Sequence, residues 1–403
     1  MSETLVEADL IAEIEPPVRV VAAEVIDERP PPAPRKSLPR RVGGAIASAW
    51  EWVFGLFSLF VGLALLATIP VLQLLSLGYL LEVSGRVART GRLRDGFVGV
   101  RKAARIGSVI LGAWLVMWPL RFVAEMSYSA WLIDPVAPGT RAWRAGMVLL
   151  TLLVAAHIAW AIFRGGRLRH FFWPAPLRFV RRFWQGGMYS EARDRLWNFA
   201  SSLRLPYYFW LGARGFAGAV AWLFVPVVLL IAAFLLPDVP AVLCGLVGFF
   251  LFPIVVLYLP FLQAQFAAEN KLVAMFDMGR IREAFRRAPI AFWFALLILL
   301  AFALPPYLLK IEFVEREVAG VESLVFVAFI APARLLAGWA VGLGRRRERR
   351  RHFLLRLMSR FGMIPLVLFY ALVVYLSRYT SWYGSWSLFE QHAFLLPVPF
   401  LGL

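Results

Sequence analysis

Residues Ile69–Arg105, IPVLQLLSLGYLLEVSGRVARTGRLRDGFVGVRKAAR, run from a proline inside an apolar segment, through Leu77-Gly78-Tyr79, into a connector dense in arginine. A related stretch returns as Phe252–Arg287, FPIVVLYLPFLQAQFAAENKLVAMFDMGRIREAFRR. An oily segment that gives way to a basic connector is what a helix leaving a bilayer looks like, because Lys and Arg stop at the headgroups. Crossing a hydrocarbon core of about 30 Å takes roughly 20 helical residues. Apolar runs of that order are Trp52–Leu81, Ile106–Val123, Ala145–Phe163, Phe216–Leu236, Ala241–Leu262, Ile290–Leu309, Leu324–Leu343 and Met363–Leu376. They give about eight spans. Pro70 interrupts the long first run and the last run is short, so seven to nine crossings stay open. Lipid offers backbone groups no partners and none of these runs alternates as barrel strands do, so the expected fold is an all-α polytopic transmembrane bundle.

Composition agrees. The chain has 403 residues, 61% of them hydrophobic and 17% charged, with mean hydropathy +0.70, whereas roughly a quarter of a soluble domain is charged. A net charge of +18 would suit nucleic acid, but the basic residues are concentrated in the connectors, where they set membrane orientation, so no nucleic-acid partner is expected. Alternate connectors (82–105, 164–205, 263–289 and 344–361) hold 29 Lys or Arg; the opposite ones and the C-terminal tail hold five, namely Arg141, Arg144, Lys310, Arg316 and Arg378. The rich set is expected in the cytoplasm. Only Lys36, Lys102, Lys271 and Lys310 among the basic residues are lysine, a bias that fits a GC-rich bacterium, and the expected location is a bacterial inner membrane. The lone Cys244 lies in an apolar run and reads as a small buried hydrophobe.

Three parts follow from this pattern: residues 1–49, a disordered tail with a Pro30-Pro31-Pro32-Ala33-Pro34 run; a first membrane half, 50–236; and a second, 237–403. If Ala45–Leu81 crosses once, the basic residues Arg35, Lys36, Arg40 and Arg41 lie outside; if it enters and returns near Pro70, they lie inside, and the second arrangement is preferred. At a constant offset of 179 residues Tyr79-Leu80 falls on Tyr258-Leu259, Leu93 on Leu272, Phe97 on Phe276, Arg101 on Arg280, Trp114 on Trp293 and Trp160-Ala161 on Trp339-Ala340. Both copies keep one sidedness, so a duplication would be parallel, about an axis along the membrane normal. Compositional coincidence is the competing explanation.

Chemistry is sparse. There is no phosphate loop, nucleophile elbow, metal-binding His-Glu-x-x-His or cysteine pair, so no catalytic residue, metal or cofactor is expected. Intramembrane ionisable groups are functional candidates by default. His157 and Arg334, each about midway along a span, form a candidate polar pathway, against the plainer reading of a structural histidine and a carbonyl-bound arginine. Arg121 and Arg214 lie near enough to span ends to snorkel, and no Asp or Glu is expected deep in a span. Arg345, Arg346, Arg347, Arg349, Arg350 and Arg351 are candidate contacts for anionic lipid headgroups, with a plain topology anchor as the alternative. Leu93, Phe97 and Arg101, and Leu272, Phe276 and Arg280, are spaced to share a helix face at the membrane surface. Tyr189–Leu203 reads as an amphipathic helix capped by Ser190, Gly338-x-x-x-Gly342 as a close helix approach, and Trp382, Tyr383, Trp386 and Phe389 as an interfacial aromatic belt.

At Pro70, Leu77-Gly78-Tyr79, Arg86 and Gly91 the chain resembles a bacterial family of multi-spanning membrane proteins known only as a domain of unknown function, over Trp52 to about Leu309. The resemblance implies a proline-broken helix leading into a basic amphipathic connector, and no activity. The expected function is a non-enzymatic membrane scaffold or lipid-interacting component, with anionic lipids as partners. The alternative is a small-solute permease built from two related halves.

Overall fold

The structure, a computed structural model, describes residues 38–312, 319–376 and Leu388. The proline-rich stretch of the tail and the aromatic quartet Trp382, Tyr383, Trp386 and Phe389 lie outside the described residues. Residues from Ala49 onward form one compact unit; of Met1–Ser48 only the helical stretch from Leu38 is described.

The chain is helical throughout the described residues, with no strand among them. In order it forms α1 (Leu38–Ala67), α2 (Gln73–Thr90), a 3-10 turn (Leu93–Gly96), α3 (Val100–Ile133), α4 (Pro138–Phe163), the short α5 (Leu168–Phe172), α6 (Pro176–Trp184) and α7 (Met188–Ser202), then α8 (Leu205–Leu235), α9 (Asp238–Glu269), a second 3-10 turn (Leu272–Phe276), α10 (Met278–Arg287), α11 (Pro289–Glu312), α12 (Ala319–Arg346) and α13 (Phe353–Leu376). Among the described residues seven helices are long and apolar enough to cross a membrane, or eight if α10 and α11, bent by 111°, count as one broken span. Their outward faces carry Ile110, Trp118, Phe122, Leu149 and Leu152, all exposed. Such a surface would be an aggregation liability in water; against lipid tails it costs nothing. The protein is a multi-pass integral membrane protein.

Trp52–Leu81 does not form one span. The chain breaks at 68–72, around Pro70, and α2 runs back against the direction of α1. Trp52 meets the Phe97 ring at 5.3 Å, and Gly55 lies against Val100 and Ala104. Farther along, Leu59, Phe60 and Leu63 pack in one cluster with Tyr79 of α2. The near end of α1 therefore shares its side with the 91–99 connector, as the enter-and-return reading requires. Helix α2 is too polar to face lipid and is enclosed instead: Leu77, Leu80, Leu81 and Val87 are buried.

Close approach by backbone makes that enclosure possible. A Cβ on Gly78 would lie 1.7 Å from the Tyr208 carbonyl oxygen of α8, and one on Gly338 would lie 2.2 Å from the Ser84 carbonyl oxygen. The Gly338-x-x-x-Gly342 pattern is thus the α12 face that rests on α2, the small-residue packing that membrane helices use when hydrophobicity cannot drive association.

The two halves match in backbone as well as in residue type. Helix α2 ends at Thr90 and α9 at Glu269; each is closed by a left-handed residue, Gly91 (φ 63°) and Asn270 (φ 56°), followed by extended Arg92 and Lys271 and then a 3-10 turn starting at Leu93 or Leu272. Gly and Asn are the residues that adopt this left-handed cap most readily. Each of these pairs keeps the 179-residue offset, and so does side-chain exposure, with Leu93 and Leu272 at 38% and 39%. Left-handed caps at matched positions are what a parallel duplication would produce.

Two local expectations are corrected. Leu93 and Phe97 do not share a helix with Arg101, because Gly99, at φ 72°, separates the 3-10 turn from α3. The α7 N-cap position is Gly187, also left-handed; Ser190 sits inside the first turn, where its hydroxyl donates to the Gly187 carbonyl at 3.0 Å.

Candidate functional site

The bundle interior holds more charge than its hydropathy suggests. Glu82, on α2 and 7% exposed, accepts hydrogen bonds from Arg89 Nη2 at 2.6 Å and from the Tyr207 hydroxyl of α8 at 2.8 Å. Glu82 and Arg89 are seven residues apart, two turns along one face of α2. Arg89 Nη1 also donates to the carbonyls of Ala267 and Ala268 at 3.0 and 3.3 Å. Those carbonyls belong to the last turn of α9, which lacks helical partners for its acceptors. One ion pair therefore fastens α2, α8 and α9. Glu82 lies outside the candidate spans, so the expectation of no Asp or Glu deep in a span is untouched by it; it directly follows the apolar run and reads as the start of a connector until the return of α2 draws it inward. Its spacing from Arg89 is the sequence signal that was available.

Arg334 is 2% exposed on α12 and donates to Gln263 Oε1 of α9. His157 of α4 lies 2.7 Å from the Phe171 carbonyl of α5. A carbonyl can only accept, so His157 Nε2 carries the proton, and the pair ties α5 to the α3–α4 hairpin, where Gly112 of α3 faces the Phe171 ring. The two residues of the candidate polar pathway thus have different partners on different helices. Of the snorkelling candidates, Arg214 reaches Asn270 Oδ1 at 2.7 Å, and Arg121 is exposed.

The basic connectors meet at one end of the bundle. There Glu269 pairs with Arg280 at 3.0 Å and Arg345 at 2.7 Å, and Glu283 with Arg350 at 3.1 Å and Arg287 at 3.3 Å. The Arg346 guanidinium lies over Gly91, and the Arg351 amide donates to the Arg286 carbonyl at 3.0 Å. Two of the six candidate lipid arginines, Arg345 and Arg350, therefore staple the second half together. Arg347, Arg349 and Arg351 have no carboxylate partner among the described residues.

Helices α5–α7 form a layer at this same end. Helices α6 and α7 bury no residue, and Trp173, Trp184 and Trp197 are 73%, 82% and 73% exposed. Arg178, Arg181 and Arg182 share α6 with apolar Leu177, Val180 and Phe183, a composition suited to the headgroup region. Burial, with Arg164, Arg169 and Arg167 nearby, holds the His170 imidazole below its ordinary pKa. Among the described residues no cluster of three or more His, Cys, Asp or Glu could hold a metal. Compared with known proteins, the chain matches no family model, no curated protein and no solved structure.

Proposed function

We propose that the protein is a non-enzymatic component of a bacterial inner membrane that gathers anionic lipid at its arginine-rich end, with that end in the cytoplasm. The observation that carries this reading is the basic end itself, where Arg347, Arg349 and Arg351 have no carboxylate partner among the described residues, together with α6 and α7, which bury no residue and leave Trp184 and Trp197 uncovered. Each basic residue near an anionic surface contributes on the order of 1 kcal/mol. The preference for arginine over lysine, with only four lysines among 43 basic residues, supports the bacterial placement. The test is reconstitution into nanodiscs of phosphatidylcholine with a minority of phosphatidylglycerol, followed by lipid analysis of the isolated particles. Enrichment of phosphatidylglycerol that falls when Arg347, Arg349 and Arg351 are changed to Gln supports the reading; lipid in the bulk ratio defeats it.

A second reading, a small-solute permease of two related halves, is favoured by the polar side chains buried between helices: Gln73, Ser76 and Ser84 on α2, Gln263 on α9, and Ser323 and Arg334 on α12. Solute-dependent swelling of proteoliposomes that is lost in Arg334→Gln would favour it over the lipid role.

A further inference from the structure

The duplicated halves differ in what fills one groove. In the first half α1 lies against α2, α3 and α12: Leu59 and Phe60 share with Tyr79 of α2 a cluster built on Leu63 of α1 and Phe326 of α12, while Gly107 of α3 receives Ser58 and Phe54 of α1. At the 179-residue offset Tyr79 becomes Tyr258 of α9 and Gly107 becomes Arg286 of α10. An arginine cannot admit a helix where the glycine does. Both counterparts instead line a cavity of about 570 Å³ between α9, α10, α11 and α13, within the few-hundred to thousand Å³ range of small-molecule sites.

The cavity is polarised along its depth. Arg282 and Arg286 of α10 and Arg360 of α13 line its basic end; beyond them come Phe261, Phe285 and Phe292, and deeper still the walls are Pro253, Ile254, Val367 and Leu368. From Arg360 to Leu368 the helical rise spans about 12 Å, close to the roughly 15 Å of one hydrocarbon leaflet. The arginines are held by rings more than by acids. Arg282 Nε donates to the Tyr258 hydroxyl at 3.1 Å, with its guanidinium 5.6 Å from that ring, and the Arg360 guanidinium is 5.9 Å from the Phe285 ring. Among the described residues neither has a carboxylate partner; Arg286 shares Glu283 at 3.4 Å. Aromatic faces orient guanidiniums without cancelling their charge, which leaves planar donors free for phosphate oxygens.

We propose that this cleft binds one anionic glycerophospholipid per chain, with the phosphate between Arg282, Arg286 and Arg360 and one acyl chain against the α9–α13 wall. The proposal rests on the lipid-gathering reading and narrows it to a single stoichiometric site. The probe is phosphatidylglycerol, offered to delipidated full-length protein in detergent and counted by native mass spectrometry. Two variants separate shape from charge: Ile364→Trp, at the exposed cavity lining, fills the space with charge unchanged, and Arg282→Gln with Arg360→Gln removes charge and leaves the space.

The expected result is one retained phosphatidylglycerol on the wild type, at least tenfold weaker retention in each variant, and tenfold weaker retention of phosphatidylcholine. Equal retention by wild type and the charge variant, equal retention of the two lipids, or no retained lipid on the wild type overturns the proposal. Should Ile364→Trp fail to fold, the charge variant and the comparison of lipids still decide. The two readings also fail separately: loss of bulk enrichment in nanodiscs with one retained lipid sinks the broader role alone, and bulk enrichment without a retained lipid sinks the site alone.

Discussion

Arg89 Nη1 donates to the carbonyl oxygen of Ala268 at 3.3 Å, and the two positions are 179 residues apart, the spacing at which the halves repeat. The contact joins the last turn of α2 to the last turn of α9, two helices closed by the same kind of left-handed cap, so Arg89 fastens them end to end. It is a one-sided device: Ala268 has no polar side chain to return the bond, and only Arg89 is bonded to a carboxylate, Glu82.

Replacing Arg89 should therefore loosen the join between α2 and α9. Hydrogen bonds to charged groups contribute roughly 1.5–3 kcal/mol, and with the Arg89 side chain 39% exposed screening lowers the expected cost of Arg89→Ala to about 1–2 kcal/mol. Arg89→Lys should recover little, because an ammonium lacks the planar fork that reaches Glu82 and two carbonyls together. Thermal unfolding in mild detergent checks both, and a Lys variant as stable as wild type contradicts the geometry.

Gly338→Ala tests the seat of α2 on α12. Its Cβ would lie 2.2 Å from a backbone oxygen, which a rotamer change cannot relieve, and overpacking of this kind costs about 1–3 kcal/mol. Gly146→Ala on α4, where nothing lies within 4 Å, is the control and should be neutral or mildly stabilising. The relative shift in melting temperature, read beside size-exclusion elution, separates strain from misfolding.

The two glycines show what the sequence exposes and what it hides. The spacing of Gly338 and Gly342 announces a close approach but names no partner. Hydropathy locates the lipid-facing helices because every residue of a span answers to the same solvent. It fails for α2, whose surroundings are other helices, and so it hides Glu82, one residue beyond an oily run. The cleft is hidden for a similar reason: Tyr258, Arg286 and Arg360 are brought together by three helices, and only the comparison of Gly107 with Arg286 across the repeat hints that one half has room where the other is filled. The arginine run shows the converse. Its charge is plain in the sequence, but which of its members are taken by Glu269 and Glu283 is decided by packing.

His170 gives the fold a pH dependence of known sign. Its folded pKa is lowered by burial and by Arg164, Arg169 and Arg167, so the unfolded chain binds the proton more readily. The contribution is complete above the unfolded value of about 6.5 and is lost as pH falls through the lower folded value. Between pH 7.5 and 5 the wild type should lose more stability than His170→Gln. Equal losses in the two proteins contradict the assignment.

Topology can be read by accessibility. With Cys244→Ser as background, single cysteines at Arg92 and Arg349 should react with a membrane-impermeant maleimide from one side of sealed vesicles, and one at Asp238 from the other. Labelling of 92 and 349 from opposite sides would be incompatible with Arg346 lying over Gly91.

The layer α5–α7 makes the last prediction, because a helix that buries nothing in the protein must answer to its solvent. If Trp173, Trp184 and Trp197 faced water, bromine on lipid chains would leave their emission unchanged. Amphipathic helices of this composition rest about 5–10 Å into the boundary between headgroups and chains, so bromine high on the acyl chain should quench them more than bromine near the chain end. Trp118, exposed on the span α3, supplies the opposite ordering as an internal standard. Single-tryptophan variants are needed, since the chain has 16. Reversing Arg178, Arg181 and Arg182 to Glu should lift α6 from an anionic bilayer and weaken its shallow quenching severalfold, while Trp118 stays as it was. Such selectivity distinguishes a layer held by headgroup charge from one held by packing on the bundle.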